Sequence, residues 1–552
     1  MRLFVRAAAF VAAVLVVGYG MLALGQEDQR AWLVVVAAAF VLLIVALWPT
    51  FPAGGGVFER SLTRTAVVLF VVFILISVQL LRIQVVQSEA ISSRQAATER
   101  GTMMDPREMI RATQVARGRI LAAGGEPIAD TVVEADGTWR REYADPAAAY
   151  VAGYFSPLAY GMSGLEQTYN AYLRGEEGGN PFSEWLDGIL QRGRRGYDLT
   201  LSLNLDLQRR ADELLGDQTG AVVVMDAKTG AVLALVSKPH IDPARLYTNV
   251  GPDSEAQVAA ARAYWEEVTQ PGSSALVLRP TQGLYAPGSV FKTVTAAAAI
   301  ETGVAAPDTV YRDEGALTVD GRVIPEENRP DPNRVSYTLT EAYGWSLNVV
   351  YAQIGLQLGA QRLDQYAKRF GFDQEIPFDL PTAASQLARD DAFLSSRAAL
   401  ADTAFGQGQL FVTPLQMALV AAAVVNDGEI MRPYLVERVS TFEGKTLQTR
   451  SPEVWKRAIS SETAATMRDI MIQSVHEGYA QGAAIPGYVV GGKTGTAEAG
   501  DGPPHAWFLG FAGKDDPRYV VAVIVEHGGE GGRTALPIGR ELLRQAVEQA
   551  GP

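Results

Sequence analysis

Three long apolar stretches with few charged residues occupy residues 1–85. They are Leu3–Leu24, Ala31–Leu47 and Thr65–Leu81. Each is near the length of about 17–25 residues that an α-helix needs to cross the hydrocarbon core of a bilayer. Core helices of a soluble protein rarely follow one another as three such runs. The pattern therefore predicts a transmembrane segment of three helices in residues 1–85.

The charged residues beside these stretches predict their orientation. Arg2 and Arg6 lie at the N-terminus and Arg60 and Arg64 lie in the second loop, whereas the first loop is net acidic. Basic residues favour the cytoplasmic side of a membrane. We therefore expect the N-terminus and the second loop in the cytoplasm, and everything after Arg82 outside it.

The first apolar stretch also has a second interpretation. Arg2 and Arg6, an apolar core and Ala23-Leu24-Gly25 resemble a secretory signal peptide with a small-x-small cleavage site. Cleavage would leave two membrane crossings, and the C-terminal bulk of the chain would still lie outside the cytoplasm. Both interpretations predict the same location for that bulk.

Residues 86–197 lose the apolar pattern and carry no recognisable set of catalytic residues. Arg117–Leu121 is typical of an extended segment, and the Gly124-Gly125 pair that follows indicates a turn. We expect a small mixed α/β domain without catalytic function here, which we call the pedestal.

Residues 198–552 show the pattern of a larger α/β domain. Gly220–Asp226 and Ala231–Ser237 are β-rich runs separated by a short Gly-containing turn, which predicts a hairpin. His505–Gly513 and Tyr519–Glu526 predict a second hairpin near the end of the chain. The sequence between them is mostly helical in pattern. The domain is therefore expected to combine an antiparallel sheet from both of its ends with helices that cover it.

Composition and charge exclude several classes of function. The formal net charge of −13 argues against a nucleic-acid partner, which would favour a basic surface. The absence of cysteine excludes disulfides and thiolate metal sites. The four histidines form no His-Glu-x-x-His motif, and no phosphate-binding Gly-rich loop with a following Lys-Ser/Thr is present. No metal or other cofactor is expected.

A first candidate motif is Ser289-Val-Phe-Lys292, which follows Pro287-Gly288 at the start of a predicted helix. Residues three apart share a helix face, so Lys292 is expected within hydrogen-bond reach of Ser289. A lysine in the first turn, beside an apolar run, is expected to have a lowered pKa, as a general base requires. Ser289 could otherwise be a simple helix cap, because Ser-x-x-Lys alone is a common pattern.

A second motif, Ser346-Leu-Asn348, is predicted to lie in a short loop between helices. Its serine could pass a proton to a leaving amine, and its asparagine could hold a peptide backbone. Taken alone, the motif could equally be an ordinary helix start, since serine is a common N-cap.

A third motif, Lys493-Thr494-Gly495, is followed by Thr496 and lies in a predicted strand. We expect Lys493 to face a cleft, Thr494 to face away, Gly495 to leave space for a substrate, and Thr496 to point inward again and place its hydroxyl near a carboxylate. Close approach of another backbone would explain the preceding Gly491-Gly492 pair.

These three motifs, in this order, resemble the signature set of penicillin-binding proteins and serine β-lactamases. Gly220–Leu235, Gly283–Ser289, Gly406–Ala418 and His505–Phe508 are also similar to segments of the class B penicillin-binding proteins. The resemblance is to those of the penicillin-binding protein 2 or division type, and it covers roughly residues 80–545. It implies a pedestal, then a C-terminal transpeptidase domain with an antiparallel five-stranded sheet between helices. The family usually has one membrane helix, so the additional apolar stretches depart from it.

The resemblance also implies an activity, which is D,D-transpeptidation of peptidoglycan stem peptides. Ser289, activated by Lys292, would attack a terminal D-Ala-D-Ala, and Ser346 would deliver a proton to the departing D-Ala. The backbone N–H groups of Ser289 and Thr496 would form the oxyanion hole.

The remaining motif residues would bind the substrate. Lys493 and Thr494, with Thr496, would attract its terminal carboxylate, Gly495 would leave it room, and Asn348 would hold its backbone. β-Lactams would mimic D-Ala-D-Ala and acylate the nucleophile.

The family implies further partners and a location. The substrate stem peptides would belong to glycan derived from lipid II, and a class B protein would need a membrane glycan polymerase of the shape, elongation and division type. The expected location is the bacterial cell membrane, with the catalytic domain on its extracytoplasmic side.

Other functions remain open at this stage. A D,D-carboxypeptidase would use the same residues, and a membrane-bound β-lactam sensor or scaffold would share the fold. A β-lactamase would need a dedicated deacylating base, for which the sequence offers no candidate. The glycosyltransferase of bifunctional relatives needs a histidine, and none precedes His240.

Overall fold

The computed structural model describes most of the chain, and its contacts divide the chain into two units, Met1–Arg111 and Ala112–Pro552. The described residues are 2–24, 28–49, 56–85, 96–98, 101–103, 115–133, 139–177, 195–390, 392–500 and 502–549.

The first unit contains the three predicted apolar helices. They span Arg2–Ala23, Gln29–Leu47 and Val57–Val85, and each is long and apolar enough to cross a membrane. Each of the three predicted apolar stretches is therefore part of a helix in the structure. The proposed cleavage motif ends at Gly25, which lies outside the described residues. Two short strands, Ala96–Thr98 and Gly101–Met103, pair in an antiparallel hairpin.

A buried arginine links the three helices of this unit. Arg82 is fully buried, and its guanidinium donates hydrogen bonds to the carbonyl oxygens of Gly20, at 2.9 Å, and Leu24, at 3.4 Å. It also lies 4.3 Å from the centre of the Trp32 ring in the second helix. A cation at the C-terminal end of a helix is favourable because the last carbonyl groups carry partial negative charge.

The second unit is built around an antiparallel five-stranded sheet, which we call the central sheet. Its strands lie in the order Val232–Lys238, Gly220–Asp226, Tyr519–Val525, His505–Gly513 and Val489–Ala497. Both predicted hairpins are present, and they meet where Tyr519–Val525 pairs with Gly220–Asp226. The strand with the third motif is therefore at one edge of the sheet.

Both faces of the central sheet are covered by helices. Val222 and Val224 face one apolar core, which includes the C-terminal helix Ala535–Gln549. Val223 faces the opposite core, which includes the entirely buried helix Pro414–Val425. Alternate residues of one strand thus enter different cores, which explains why the strand is a continuous apolar run.

A second sheet, of six strands, lies outside the central one. Its order is Thr446–Thr449, Val436–Ser440, Asp198–Leu201, Ile120–Leu121, Pro127–Val133 and Trp139–Tyr143. The domain boundary that the sequence suggested, between residues 197 and 198, falls at the start of the strand Asp198–Leu201. Segments from the pedestal and from the following domain therefore share one sheet.

The pedestal is organised around a buried charge cluster. Glu166 is fully buried, and its two carboxylate oxygens accept hydrogen bonds from Arg117, at 2.8 Å, and from Arg141, at 2.7 Å. Removing either charge type from such a cluster leaves the other one buried without compensation.

The second unit also contains short strand pairs and further helices. Among the described residues of this unit, four antiparallel strand pairs lie outside the two sheets: Phe155–Ser156 with Gly161–Met162, Val310–Arg312 with Ser336–Thr338, Ala316–Val319 with Arg322–Pro325, and Glu429–Met431 with Val454–Arg457. The α-helices not yet named are Pro146–Ala152, Gly164–Thr168, Asn170–Leu173, Leu205–Leu215, Ser254–Val268, Arg279–Gln282, Lys292–Glu301, Leu339–Gly344, Asn348–Leu358, Ala360–Phe370, Arg397–Ala404 and Ser461–Glu477.

Candidate active site

The first motif lies in a tight turn that two backbone segments enclose. Gly288–Phe291 forms a 3₁₀ turn, and the α-helix begins at Lys292, three residues later than predicted. Gly288 has a φ of 54°, and a side chain there would lie 2.5 Å from the carbonyl oxygen of Thr496. On its other side, the Gly288 N–H donates to the carbonyl of Gly406 at 3.0 Å. Only glycine allows this close approach, which brings Ser289 next to the strand of the third motif.

Lys292 is fully buried and points at the second motif. Its ammonium donates to the Ser346 carbonyl oxygen at 2.6 Å, to Asn348 Oδ1 at 2.8 Å and to Ser346 Oγ at 3.2 Å. An ammonium group has three protons, so these three acceptors use all of them. Lys292 is a neighbour of Ser289 in the turn, and the hydrogen bonds that its ammonium donates go to the second motif.

Ser346 lies in the predicted turn between two helices, Leu339–Gly344 and Asn348–Leu358. Its φ of 60° is unusual for a residue other than glycine, and only 6% of the residue is exposed. Such a backbone conformation costs about 1–3 kcal/mol and persists only where surrounding contacts hold it. The hydrogen bonds from Lys292 supply part of that support.

Lys493 reaches the same hydroxyl from the edge strand of the central sheet. The residue is 1% exposed, and its Nζ donates to Ser346 Oγ at 2.9 Å and to the Thr494 carbonyl oxygen at 2.9 Å. The prediction that Lys493 faces the site is confirmed. Three segments far apart in sequence therefore converge on one serine hydroxyl.

Thr496 differs from the prediction, whereas Thr494 faces away from Lys493 as predicted. Thr494 and Thr496 share one face of the strand, opposite to Lys493, because side chains alternate along a strand. Thr496 is exposed, and its Oγ1 accepts from the Gly531 N–H at 3.5 Å. The expectation that Thr496 points inward, on the same face as Lys493, was therefore wrong, because residues three apart lie on opposite faces of a strand.

The glycines of this strand also have other roles than predicted. A side chain at Gly495 would lie 3.0 Å from Val290 and 3.1 Å from the Pro287 carbonyl, so this glycine lets the strand approach the turn that carries Ser289. At Gly491 and Gly492 the nearest atoms belong to the rings of Phe511 and Phe508, rather than to another backbone.

Sequence reasoning missed the residues that support the second motif from behind. Glu326 Oε2 accepts from the Val349 N–H at 2.9 Å, and Asn328 Nδ2 donates to the Ser346 carbonyl at 3.1 Å. Thr293 and Tyr343 share a hydrogen bond of 2.9 Å beneath the site. Glu326 and Asn328 follow a short strand and belong to no motif, so the sequence does not distinguish them from an exposed loop.

Burial governs the charges of the site. It lowers the pKa of Lys292 to about 7, although the nearby Glu326 carboxylate opposes this shift. The pKa of Lys493 is well below its ordinary value because of burial and, secondly, because of the neighbouring Lys292. Burial raises the pKa of Glu326, and Lys292 opposes that change. The predicted direction for Lys292 is confirmed, with burial as its main cause.

The arrangement suits nucleophilic catalysis without a redox or metal group among its side chains. A half-buried serine lies beside an amine that titrates near neutral pH, and a second hydroxyl joins two amines. In the parts of the chain that the structure describes, no group of three or more His, Asp or Glu side chains is placed to hold a metal ion. The side chains that meet here offer a hydroxyl nucleophile and an amine base.

Comparisons with known proteins agree with this arrangement. The penicillin binding protein transpeptidase domain matches residues 220–544, and the penicillin binding protein A dimerisation domain matches residues 117–199. Peptidoglycan D,D-transpeptidase PbpA of Mycolicibacterium smegmatis is 34% identical over 517 residues, which cover 89% of this chain and 99% of that protein.

Solved structures are similar as well. A ceftriaxone acyl-enzyme complex of penicillin-binding protein A from M. tuberculosis is 31% identical with a TM-score of 0.72, over 80% of this chain and 100% of that one. The D,D-transpeptidase domain of a peptidoglycan glycosyltransferase from Eggerthella lenta is 38% identical with a TM-score of 0.68, over 79% of this chain and 99% of that one.

Proposed function

The chain belongs to the penicillin-binding protein transpeptidases, and on that premise we propose that Ser289 is the nucleophile with which it cross-links peptidoglycan. Its reaction is D,D-transpeptidation through a serine acyl-enzyme, and it binds β-lactams. The observation that carries the assignment is the convergence of Lys292 and Lys493 on Ser346, directly beside the turn of Ser289.

In the acylation step, the Ser289 hydroxyl oxygen adds to the carbonyl carbon of the penultimate D-Ala. Its proton passes to neutral Lys292, whose pKa of about 7 leaves a large neutral fraction at physiological pH. The carbon–nitrogen bond to the last D-Ala then breaks, and the departing amine takes a proton through Ser346. The hydrogen bond between Lys292 and Ser346 supports this proton path.

The negative charge that develops on the substrate oxygen needs donors. We assign this role to the backbone N–H groups of Ser289 and Thr496, since Gly288 brings the two segments into contact. Preorganised donors of this kind are typically worth about 2.7–4 kcal/mol of barrier each.

The terminal carboxylate of the substrate would bind at the third motif. Lys493 attracts it by charge, and the exposed hydroxyl of Thr496 is available to donate a hydrogen bond, with Thr494 on the same strand face. Asn348 would hold the substrate backbone, because its amide oxygen already accepts from Lys292 and its amide nitrogen is a donor.

The second half of the reaction distinguishes a transpeptidase from a carboxypeptidase. An amine from a neighbouring stem peptide attacks the ester carbon, forms the new amide and releases the Ser289 oxygen, which regains a proton. Water in place of the amine would give a D,D-carboxypeptidase.

The three N-terminal helices anchor the protein in the membrane. We propose that the catalytic unit lies on the extracytoplasmic side, because Arg60 and Arg64 favour a cytoplasmic second loop. The chain has no cysteine, so single engineered cysteines at residues 28 and 56 would report the side of each loop with a membrane-impermeant thiol reagent. Labelling of residue 56 from outside intact cells would contradict this orientation.

We further propose a membrane glycan polymerase of the shape, elongation and division type as the partner. Its product carries the stem peptides that this site joins, and the additional apolar helices provide a surface within the membrane. Failure of such a polymerase to remain bound in detergent-purified complexes would remove the support for this proposal.

The assignment of the nucleophile is tested with a fluorescent penicillin on membranes. We compare wild type with Ser289→Ala, and use Ser395→Ala as a control because Ser395 is an exposed serine outside the site. A covalent band that persists for many minutes and vanishes only in Ser289→Ala supports the proposal. A rapidly fading band would indicate hydrolysis, and a folded wild type without a band would indicate a scaffold.

A further inference from the structure

A buried carboxylate behind the active site has no place in the roles assigned so far. Glu326 follows the strand Arg322–Pro325, and the residue is 9% exposed. Burying an ionisable side chain is costly unless it is paired and hydrogen-bonded. The contacts of Glu326 therefore need a functional or structural explanation.

The first of these contacts replaces a missing helix cap. The helix Asn348–Leu358 begins after Leu347, whose side chain cannot accept a hydrogen bond from the first turn. Glu326 Oε2 instead accepts from the Val349 N–H at 2.9 Å. A carboxylate at a helix N-terminus is also favoured by the partial positive charge there. Glu326 thus holds the helix that starts at Asn348.

The second contact reaches the turn of Ser346 through a neighbour. Glu326 Oε1 accepts from the Asn328 N–H at 3.1 Å, and Asn328 Nδ2 donates to the Ser346 carbonyl oxygen at 3.1 Å. Lys292 donates to that same carbonyl. The left-handed backbone of Ser346 is therefore held from one side by the base and from the other by the Glu326–Asn328 segment.

Glu326 also affects the pKa of Lys292. Lys493 is the neighbouring buried amine, and Glu326 is the carboxylate that opposes the effect of burial on the pKa of Lys292. Asp313 is fully buried, and its negative charge raises the pKa of Glu326. The other titratable groups packed around the pair are Tyr343, Tyr351 and Tyr479, whose pKa values are all raised by burial, so they stay neutral at physiological pH.

We propose that Glu326 is a positioning residue for transpeptidation, which anchors the turn of Ser346 and Asn348 and supplies the negative charge against which Lys292 gains and loses its proton. This inference rests on the proposed function, in which Lys292 is the base for acylation of Ser289. It assigns to Glu326 no contact with the substrate.

The sign of its effect on acylation follows from this geometry. A negative charge favours protonated Lys292, so Glu326→Gln should lower the pKa of Lys292 and extend its neutral, basic form to lower pH. Gln keeps an oxygen that can accept from the Val349 N–H. A residue that only capped the helix would change the maximal rate or the stability and leave the pH dependence unchanged.

The experiment measures second-order acylation of the full-length protein by a fluorescent penicillin from about pH 5 to pH 9. In Glu326→Gln, the ratio of the rate at about pH 6 to that at about pH 8 should rise about twofold or more over wild type. The matched control is Glu327→Gln, since Glu327 is the adjacent but exposed carboxylate, and its profile should equal that of wild type. Thermal unfolding shows whether each variant is folded.

A second variant separates the two effects of Glu326. Glu326→Asp keeps the negative charge but moves it away from the Val349 N–H. We therefore expect the fall of its acylation rate toward low pH to stay near that of wild type, while its maximal rate is lower. If the acylation rate of folded Glu326→Gln depends on pH as that of wild type does, the inference alone is overturned. The same holds if Glu326→Asp changes this pH dependence as much as Glu326→Gln does. Absence of acylation in wild type at every pH would overturn the proposed function together with it.

Discussion

Lys493 donates a hydrogen bond to the hydroxyl oxygen of Ser346 across 2.9 Å, although 147 residues separate them in the chain. Lys292 donates to the same oxygen at 3.2 Å. A hydroxyl oxygen has two acceptor positions and one proton, so both acceptor positions of Ser346 are used. The Ser346 proton is thereby left to donate elsewhere, which is what a proton donor to a leaving amine requires.

Removal of this hydroxyl should slow acylation by about 10²–10⁴-fold, the usual contribution of a general acid or base. Ser346→Gly is the better variant because glycine tolerates the φ of 60°, and Ser346→Ala tests whether strain adds to the loss. Stopped-flow acylation by a penicillin measures the rate, with Ser395→Ala as the control. A rate within a few-fold of wild type in Ser346→Gly would contradict the role.

The pH dependence of acylation should follow the protonation of Lys292. Its pKa of about 7 means that the neutral, basic form prevails above that pH and the protonated form below it. We therefore expect the acylation rate of wild type to rise with pH through about 7 and then level off. Lys292→Arg keeps a cation that cannot lose its proton, so acylation should be lost at every pH. A wild-type rate that falls as pH rises from 6 to 8 would exclude Lys292 as the base.

The turn of Ser289 should depend on Gly406. Gly406 has a φ of 97°, and a side chain there would lie 1.8 Å from the Gly288 carbonyl oxygen. We expect Gly406→Ala to displace this turn and to reduce penicillin labelling strongly. Gly272→Ala is a matched control, because Gly272 has a similar φ of 91° with no atom within 4 Å. Labelling of Gly406→Ala as strong as that of Gly272→Ala would contradict the prediction.

The buried carboxylate of the pedestal should matter for stability and not for chemistry. Glu166→Gln leaves Arg117 and Arg141 without their buried counter-charge, and breaking such a pair typically costs about 3–5 kcal/mol. Chemical denaturation of the purified protein measures this loss. Glu213→Gln is the control: Glu213 is 67% exposed and pairs with Arg210 at the surface, where such a pair contributes about 0–1 kcal/mol. A loss no larger than that of the control would contradict the prediction.

The first helix is expected to remain in the mature protein. Arg82 donates to the carbonyl oxygens of Gly20 and Leu24, so loss of that helix would leave a buried guanidinium without these acceptors. The intact mass of protein purified from membranes should therefore include residues 2–24. A mature chain that starts after Gly25 would support the signal-peptide interpretation instead.

The hairpins and helices of the catalytic unit were predictable because local patterns determine them. Gly220–Asp226 and His505–Gly513 are apolar β-rich runs bounded by turn signals, and both are strands in the structure. The motif residues were found by type and order alone. Glu326 and Asn328 were not, because their roles depend on contacts with Ser346 and Val349 that no local pattern reveals.

The orientation of side chains was predicted less well than their presence. Thr496 lies on the strand face opposite to Lys493, as strict alternation requires, and Gly495 faces Val290 instead of an open cleft. Lys292 donates to Ser346 and Asn348, two acceptors that the sequence did not indicate. Each difference arises where a second segment packs against the motif, since that segment decides which acceptors and which space are available.

By itself, the sequence determined the three membrane helices, the antiparallel hairpins and the set of residues able to perform serine acyl transfer, since these depend on hydropathy, short periods and residue chemistry. Only the tertiary structure decided which of those residues meet, through the close contact of Gly288 with Thr496 and of Lys493 with Ser346. The depressed pKa of Lys292 has the same origin, because the burial that lowers it exists only once distant segments have packed together.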